Sequence, residues 1–287
     1  MFDAIAQKIQ DQHLQLHGIQ VTIRRLDQIH PQISGNKFFK LKYNFLEAKQ
    51  QGYRKLLTFG GAYSNHIAAT AFVADQFGFQ SVGIIRGEEL KHKPLNPTLA
   101  TASQLGMQVH FVSREEYRLK QSPDYLAQLQ QQFPEHYIIP EGGTNQLAIL
   151  GCTEILKPDD QQFDLICCAV GTGGTIAGLI QASQSHQHVL GFSALKGLFL
   201  NDEVARLTSK CNWKIIDDYC CGGYAKTTPE LMQFIQRFET QYSIPLEQIY
   251  TAKMMFGLEH MIQTGIISPE QKLLVIHTGG LQGRLNP

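Results

Sequence analysis

Short apolar runs rich in β-branched residues recur along the chain and alternate with stretches of helical periodicity. Seven such runs stand out: KLLTF, SVGIIR, QVHFV, HYIIP, FDLICCAV, HVLGFSAL and KLLVIHT. Alternation of this kind is typical of parallel strands joined by crossover helices. The sequence therefore predicts an α/β fold with mostly parallel sheet, and the absence of any long linker means that a second domain would be inserted into the first.

Length and charge limit the kinds of partner that the chain can have. Its 287 residues exceed a domain of about 100–200 residues, so one large domain or two intertwined domains are expected. The 25 lysines and arginines balance 25 aspartates and glutamates, which gives no electrostatic reason to expect a nucleic acid or an anionic membrane as partner. The start lacks the apolar core of a signal peptide, and no run approaches the roughly 18 apolar residues of a membrane span. We expect a cytoplasmic protein that binds a small molecule.

The cysteine pattern argues against a metal site and against a disulfide framework. The six cysteines include two adjacent pairs, 167–168 and 220–221, and form no C-x-x-C. This is neither a zinc-binding spacing nor the cysteine density of a small disulfide-bonded domain. All six are expected to be reduced thiols, with Cys167 and Cys168 in the core, and no metal is expected.

Glycine and polar residues follow most of the predicted strands. In open α/β sheets, ligands bind beyond the carboxyl ends of the strands. The candidate binding loops are therefore FGGAYSN at 59–65, PEGGTN at 140–145, GTGGT at 171–175 and HTGG at 277–280.

The GTGGT loop is the strongest candidate for a phosphate site. It lies between a buried strand and a helix, where backbone N–H groups and a helix N-terminus point at an anion. A dinucleotide fingerprint is excluded because Ile176 occupies the third glycine position, and a P-loop is excluded because no Lys-Ser or Lys-Thr follows. A tight turn without a ligand remains the alternative.

Three lysines lie near the start of the helix predicted within QISGNKFFKLKYNFLEA, residues 32–48. Asn36 is the expected N-cap, which places Lys37 at the first helical position, and the apolar stripe consists of Phe38, Leu41, Phe45 and Ala48. Cations at this end oppose the helix dipole, and Lys37 and Lys40 repel each other. Both effects favour the neutral Lys37 amine that a Schiff base requires, while Lys40 can meet an anion.

The alternative for these lysines is an ordinary solvated helix face, and Lys42, about 200° around the helix from Lys40, is expected to be solvated in any case. An amine-bearing helix start and a phosphate loop in one chain suit an aldehyde cofactor that carries a phosphate. Pyridoxal phosphate has both groups.

Six motifs together resemble one family: SGNKFFKLKYNFLEA, FGGAYSNHIAATA, IIPEGGTN, GTGGT, YTAKMMFG and IHTGG. They are similar, in order and over most of the chain, to the 1-aminocyclopropane-1-carboxylate (ACC) deaminase / D-cysteine desulfhydrase family of fold-type-II pyridoxal-phosphate enzymes. The resemblance implies two open twisted, mostly parallel sheets with helices on both faces, as in tryptophan synthase β. It also implies a larger cofactor-binding domain from residues 1–40 and 146–287, a smaller inserted α/β domain at 41–145, the cofactor in the cleft between them, and a homodimer.

The resemblance also implies roles for individual residues. Lys37 would be the Schiff-base lysine, Lys40 a phosphate neighbour and Asn65 the partner of the cofactor's ring oxygen, while Ser64 and His66 would lie beside the substrate carboxylate. Tyr224 and Tyr250 would tune Lys37 or the reacting carbon, and Ser64 is counted with them as catalytic. The phosphate would be held by the loop residues Gly171, Thr172, Gly173, Gly174 and Thr175.

Two threonines bear on the choice of reaction. Where ACC deaminases typically carry glutamate and leucine, and D-cysteine desulfhydrases small hydroxyl residues, this chain has Thr251 and Thr278. The resemblance implies that Thr251 lies beside the cofactor and Thr278 beside the substrate. A carboxylate near the pyridine nitrogen would keep it protonated and make the ring a stronger electron sink, which threonine cannot do. The favoured interpretation is β-elimination from D-cysteine to pyruvate, sulfide and ammonia. ACC deamination and a pyridoxal-phosphate-binding protein without turnover are the alternatives.

Overall fold

Two β-sheets organise the chain in a computed structural model that describes residues 1–197 and 199–284. Their strands, numbered in chain order, are β1 (Asp11–Leu16), β2 (Ile19–Arg25), β3 (Lys55–Gly61), β4 (Gln80–Arg86), β5 (Met107–Val112), β6 (His136–Ile139), β7 (Leu165–Val170), β8 (His188–Ser193), β9 (Trp213–Ile216) and β10 (Leu273–His277). All seven runs predicted from the sequence form strands, which confirms them.

The larger sheet has the order β1-β2-β10-β7-β8-β9, and the smaller one has the order β5-β4-β3-β6. Every strand pair is parallel except β1 with β2. The prediction of two mostly parallel sheets is therefore confirmed. Parallel strands end at the same edge of a sheet, so the loops after them are brought together.

Three strands, β1, β2 and β9, were not predicted. The β1–β2 hairpin turns at His17 and Gly18, whose φ angles of 50° and 84° are those of a two-residue type I′ turn. A histidine in this position is a weak turn signal, whereas Asn-Gly or Asp-Gly would have identified the hairpin. Strand β9 has only four residues and sits at the sheet edge.

Helices join the strands and cover both faces of the sheets. They are α1 (Phe2–Ile5), α2 (Asn36–Gln50), α3 (Asn65–Gln76), α4 (Pro97–Gln104), α5 (Arg114–Arg118), α6 (Pro123–Gln132), α7 (Gln146–Thr153), α8 (Gly174–Ala182), α9 (Phe199–Ala205), α10 (Pro229–Tyr242) and α11 (Thr251–Gln263). No helix of the described ranges is long and apolar enough to cross a membrane.

Successive residues of the central strand β7 pack into different cores. Ile166 and Cys168 join the core that contains the apolar stripe of α2 and residues of α8. Leu165 and Cys167 join the core built from α10 and α11. This alternation is the period of two that a strand buried on both faces requires. All six cysteines are free thiols, and Cys167 and Cys168 are fully buried, as predicted.

The predicted domain boundary after residue 40 falls inside α2, which continues without a break from Asn36 to Gln50. The strands of the smaller sheet nevertheless all lie between residues 55 and 139, within the predicted insertion. The division into two domains stays a prediction.

Candidate active site

The four predicted binding loops meet at the carboxyl ends of the strands and line one cleft of about 910 Å³. Each sheet contributes two loops, so the cleft lies between the sheets. The residues that the loops provide are Gly61 to His66, Glu141 and Gly142, Gly171 to Gly173 with Thr175, and Thr278 to Gly280. The cleft is therefore built from the segments that the sequence singled out.

The start of α2 differs from the prediction by one residue. Gly35, with φ 69°, is the N-cap, and Asn36 is the first helical residue, so Lys37 is the second. A Cβ on Gly35 would fall 1.9 Å from the carbonyl oxygen of Thr278, so only glycine allows this close approach. Because Asn36 does not cap the helix, its side-chain Nδ2 donates instead to Thr175 Oγ1 at 2.8 Å. This hydrogen bond connects the start of α2 to the GTGGT loop, residues 171–175, here called the glycine loop.

Lys37 lines the cleft, and its Nζ donates to Asn36 Oδ1 at 3.1 Å. Burial lowers its pKa from 10.5 to about 8, against the opposing influence of Cys152 and Glu247. The predicted direction of the shift is confirmed. Its main cause is desolvation, which the sequence argument from the helix dipole did not include.

Lys40 is 1% exposed, which is rare for an ammonium group without a carboxylate partner. Its Nζ donates only to neutral acceptors: Gly142 O at 2.7 Å, Thr144 Oγ1 at 2.8 Å and Thr172 Oγ1 at 3.3 Å. Burial and the charge of Lys37 lower its pKa from 10.5 to about 7. A buried, uncompensated cation of this kind fits an anionic ligand.

Lys42 is not the solvated residue that the sequence predicted. Its Nζ pairs with Asp3 at 2.9 Å and Glu154 at 2.8 Å, and its side chain is only 12% exposed. Its pKa is raised by these two carboxylates despite partial burial. Asp3 lies in α1 and Glu154 ends α7, so tertiary packing supplies partners that a local pattern cannot reveal.

The glycine loop places α8 close to the Lys40 ammonium. Gly173 adopts the left-handed conformation, φ 79°, as the N-cap of α8. Gly174 does not line the cleft, but a Cβ there would fall 2.9 Å from Lys40 Cε and 2.9 Å from Thr144 Oγ1. The first turn of α8 and the Lys40 ammonium thus converge, which is the combination that binds a phosphate.

The SNH segment combines a helix cap with cleft residues. Ser64 Oγ accepts from the backbone N–H groups of His66 at 3.2 Å and Ile67 at 3.3 Å, so this residue is the N-cap of α3 as well as part of the cleft wall. Asn65 Oδ1 accepts from Gln282 Nε2 at 2.7 Å, which ties the loop to the carboxyl-terminal segment.

His66 is 1% exposed and lies against Gly143, where a Cβ would fall 3.2 Å from His66 Cε1 and 3.5 Å from Lys40 Cβ. Its Nε2 is 2.8 Å from Thr58 Oγ1, whereas its Nδ1 has no hydrogen-bond partner among the described residues. Burial, with the charges of Lys37 and Lys40, holds its pKa well below the ordinary value. His66 is therefore a neutral ring with one nitrogen still available.

Both predicted tyrosines line the cleft. Tyr250 lies against the glycine loop, with Cε1 3.0 Å from the position of a Cβ on Gly171, and its ring centroid is 6.2 Å from that of Tyr224. Burial and the neighbouring Tyr224 raise the pKa of Tyr250 well above 10. Tyr250 is therefore a neutral phenol at physiological pH.

The two threonines occupy different environments. Thr278 lines the cleft, but Thr251 is 0% exposed and does not line it. The Thr251 hydroxyl is instead 3.3 Å from Oε1 of Glu247, a residue that the sequence analysis missed and that does line the cleft.

Glu247 caps the start of α11 from inside the protein. Oε1 accepts from the N–H groups of Tyr250 at 2.7 Å and Thr251 at 2.6 Å, and Oε2 accepts from Ile249 N at 2.8 Å. An acidic residue three or four positions before an apolar helix is a recognisable capping signal. The cleft thus contains a buried carboxylate where the sequence argument assumed only a hydroxyl.

These residues fit an aldehyde cofactor with a phosphate group. The buried Lys40 ammonium has no carboxylate partner among the described residues, His66 Nδ1 lacks a hydrogen-bond partner there, and Gly174 at the start of α8 leaves room beside Lys40. Within residues 1–197 and 199–284, no group of three or more His, Cys, Asp and Glu residues could hold a metal ion.

Comparison with known proteins agrees with this site. Residues 11–279 match the family model described as pyridoxal-phosphate dependent enzyme. The chain is 34% identical to a Thermotoga maritima protein provisionally named 1-aminocyclopropane-1-carboxylate deaminase, over 93% of this chain and 90% of that protein. It is 30% identical to the mitochondrial bifunctional D-cysteine desulfhydrase/1-aminocyclopropane-1-carboxylate deaminase of Arabidopsis thaliana, over 93% and 74%. A crystal structure of an ACC deaminase homologue superposes with a TM-score of 0.85 at 26% identity, covering 97% of this chain and 91% of the other.

Proposed function

We propose, from the premise that the chain belongs to the ACC deaminase / D-cysteine desulfhydrase family of pyridoxal-phosphate-dependent enzymes, that it deaminates a small amino acid and that D-cysteine is its first candidate substrate. The observation that carries the proposal is the Lys37 amine, whose pKa is lowered to about 8 in the same cleft as the Lys40 ammonium. When bound, pyridoxal phosphate withdraws electron density from the α-carbon of an amino acid, so that its proton can be removed.

The binding roles follow from where each group lies. We assign the phosphate to Lys40 and the Gly171–Thr175 loop, and the aldehyde to a covalent bond with Lys37. Asn65 is assigned to the ring oxygen, and Ser64 and Thr278 to the substrate. His66 and Lys40 both lie next to Gly143, and the charges of Lys37 and Lys40 act on His66, so we assign His66 to the cofactor more than to a substrate carboxylate. Thr251 does not line the cleft, so it would influence the cofactor only through its contact with Glu247.

The lowered pKa makes Lys37 a better candidate than Tyr250 for the base that removes the α-proton. With a pKa of about 8, about one amine in ten is neutral at pH 7, whereas an ordinary lysine is neutral in fewer than one molecule in a thousand. Tyr250 has a raised pKa and stays protonated, so it suits hydrogen-bond donation or proton return. Water converts the released enamine into pyruvate and ammonia.

ACC is the second candidate substrate, and one observation favours it. The sequence argument against ACC was that Thr251 replaces a carboxylate, yet Glu247 brings a buried carboxylate to that threonine and to the cleft wall. The relatives named above carry both activities in their names. A panel of D-cysteine, L-cysteine and ACC distinguishes the candidates, because cysteine yields pyruvate and sulfide whereas ACC yields 2-oxobutyrate.

Lys37→Ala tests the central assignment, and Lys42→Ala, on the same helix but paired with Asp3 and Glu154, is the matched control. Borohydride reduction followed by mass spectrometry should find the cofactor on Lys37 in the parent protein and in Lys42→Ala. Lys37→Ala should carry no covalent cofactor and lose at least about a thousandfold in kcat. Attachment to any other lysine would show that the assignment is wrong.

We also propose a cytoplasmic homodimer, as the resemblance implies. Sedimentation of the cofactor-loaded protein at micromolar concentration tests the dimer. A mass of about 32.3 kDa, that of one chain, would contradict it.

A further inference from the structure

Basic side chains gather at the mouth of the cleft on the side of the smaller sheet. Arg86, Arg114, Arg118 and Lys120, here called the mouth cluster, line a cavity of about 330 Å³ together with Tyr117 and Glu141. Arg86, Arg114 and Glu141 also line the main cleft, so the two cavities share a wall. A ligand in the cleft can therefore extend into the mouth cluster.

The mouth cluster carries more positive than negative charge. Arg114 pairs with Glu89 at 2.9 Å, and Lys120 pairs with Glu141 at 3.4 Å. Arg86 and Arg118 form no ion pair with any residue that the structure describes. Four cations against two carboxylates leave two positive charges, although the chain as a whole is neutral. The excess of positive charge is confined to the mouth cluster, as expected for a region through which an anion enters the cleft.

Arg86 is the member of the mouth cluster that lies closest to the proposed substrate loop. It ends β4, and its Nη2 lies 3.7 Å from the position of a Cβ on Gly61, whose carbonyl accepts from Ser64 N at 3.0 Å. Its guanidinium carbon is 5.8 Å from the centroid of the Tyr117 ring, which restricts the side chain by a cation–π contact. A guanidinium presents a rigid fork of donors that matches carboxylate, phosphate or sulfonate oxygens.

Tyr117 helps to keep this arrangement in place. Its ring also lies 4.9 Å from Lys120 Nζ, and its hydroxyl donates to Glu141 Oε1 at 2.7 Å. Glu141 is thus shared between Tyr117 and Lys120, which leaves Arg86 without a competing carboxylate. The Arg86 guanidinium lines both cavities and has no carboxylate partner among the described residues.

From these contacts we infer that the mouth cluster is an anion subsite and that the substrate is an amino acid with a second negative charge on its β-substituent. This inference rests on the proposed function, deamination of a small amino acid, and places a doubly anionic amino acid ahead of D-cysteine and ACC as its substrate. An α-carboxylate alone needs only a few hydrogen-bond donors beside the Ser64 loop, whereas the mouth cluster continues from Arg86 to Arg118 and Lys120 along a cavity of its own. The β-substituent would leave as an anion with the electron pair of its bond to Cβ. The pair of the broken Cα–H bond forms the Cα=Cβ double bond.

Steady-state kinetics with a matched pair of substrates test the inference. O-phosphoserine and O-acetylserine, each as D- and L-isomer, have the same carbon skeleton and differ in the charge of the leaving group. The loaded enzyme should show a kcat/KM at least about tenfold higher for one isomer of O-phosphoserine. Arg86→Ala should lower this value about 10–100-fold and change that of O-acetylserine less than about threefold, as expected for charge-assisted hydrogen bonds. Arg86→Lys should restore part of the loss.

Arg206→Ala is the control, because Arg206 is an exposed arginine paired with Glu203 outside the cleft. Arg206→Ala should leave kcat/KM unchanged for both substrates. An equal loss for both substrates in Arg86→Ala, or a preference of the parent enzyme for O-acetylserine, would overturn the inference.

A binding measurement separates this inference from the proposed function. If D-cysteine, L-cysteine, ACC and both serine esters all yield no keto acid, the proposed function is wrong, and calorimetric titration of O-phosphoserine into the cofactor-loaded protein then tests the anion subsite by itself. Binding that weakens at least about tenfold in Arg86→Ala would support the anion subsite. No binding to the parent protein, or equal binding to the variant, would refute it.

Discussion

Lys40→Met should stabilise the cofactor-free protein near neutral pH. Lys40 is 1% exposed and donates only to uncharged oxygens. Folding therefore removes its ammonium group from water without supplying a counter-charge, which lowers the free energy of unfolding. Methionine has a similar length and no charge. The substitution therefore removes the penalty and keeps most of the packing.

The magnitude follows from the pKa of Lys40, which is 10.5 for an ordinary lysine and about 7 in the folded protein. Each pKa unit is worth ~1.4 kcal/mol, so Lys40 costs about 4 kcal/mol of folding stability at pH 7 and under about 1 kcal/mol at pH 10. The unfolded state binds more protons between these pKa values, so stability rises with pH across that interval. Loss of the donor leaves Gly142 O and Thr144 Oγ1 unpaired, which offsets about 1–2 kcal/mol. We expect a net gain of about 2–3 kcal/mol at pH 7 and none at pH 10.

Urea unfolding of the cofactor-free protein at several pH values from 6 to 10 measures both effects. The parent protein should gain stability as the pH rises, and Lys40→Met should show a weaker dependence, with Lys37 contributing what remains. Lys42→Met is the control on the same helix. The two carboxylates of Lys42 raise its pKa, so its removal should destabilise the protein slightly at pH 7.

A parent protein whose stability is flat from pH 7 to 10, together with a Lys40→Met variant that is less stable at pH 7, would refute this account of Lys40. Inorganic phosphate adds an independent check. It should stabilise the parent protein and raise the pKa of Lys40, whereas its effect on Lys40→Met should be much smaller.

Three further predictions concern single contacts. Gly174→Ala should weaken cofactor binding at least about tenfold in a fluorescence titration, because the new Cβ would fall 2.9 Å from Lys40 Cε and Thr144 Oγ1; unchanged affinity would exclude this steric role. Asp160→Asn should cost about 1.5–3 kcal/mol in urea unfolding, because Asp160 accepts from the 1%-exposed Arg24 at 2.8 Å, while Asp11 at 2.7 Å still compensates part of the guanidinium charge; a loss under about 0.5 kcal/mol would contradict it. Glu247→Gln should lower the pKa of Lys37 below about 8, because the Glu247 charge raises it, and the pH dependence of Lys37 acylation measures the change; an unchanged profile would argue against this coupling.

Sequence patterns were sufficient where the evidence is local or periodic. The buried strand β7 and its glycine loop were predicted because an apolar run followed by GTGGT has few other structural solutions. The meeting of the two loops of each sheet followed from the parallel arrangement, since parallel strands end at one edge. That both pairs of loops face one cleft was implied by the family resemblance. The fold and the list of cleft loops were therefore accessible before any coordinates.

Tertiary partners account for what the sequence did not reveal. Asn36 looks like an N-cap, but the approach of Gly35 to Thr278 moves the cap by one residue and gives Asn36 a contact with Thr175. Glu247 was overlooked because its significance comes from its position in the cleft wall. Arg86 was overlooked for the same reason, since at the end of β4 it resembles any charged residue that terminates a strand.

The three lysines of α2 show why local sequence could identify the site without explaining it. Lys37, Lys40 and Lys42 lie within six residues, and the helix dipole and spacing separate only Lys42 from the other two. What separates all three is the structure that covers each one: burial lowers the pKa of Lys37 to about 8, burial and the charge of Lys37 lower that of Lys40 to about 7, and two carboxylates raise that of Lys42. A phosphate bound at Lys40 would favour the charged form of that lysine, because the phosphate supplies the counter-charge that Lys40 lacks. The charge of Lys37 lowers the pKa of Lys40, so the two lysines are coupled, and the negative charge of a bound phosphate would offset the repulsion between them.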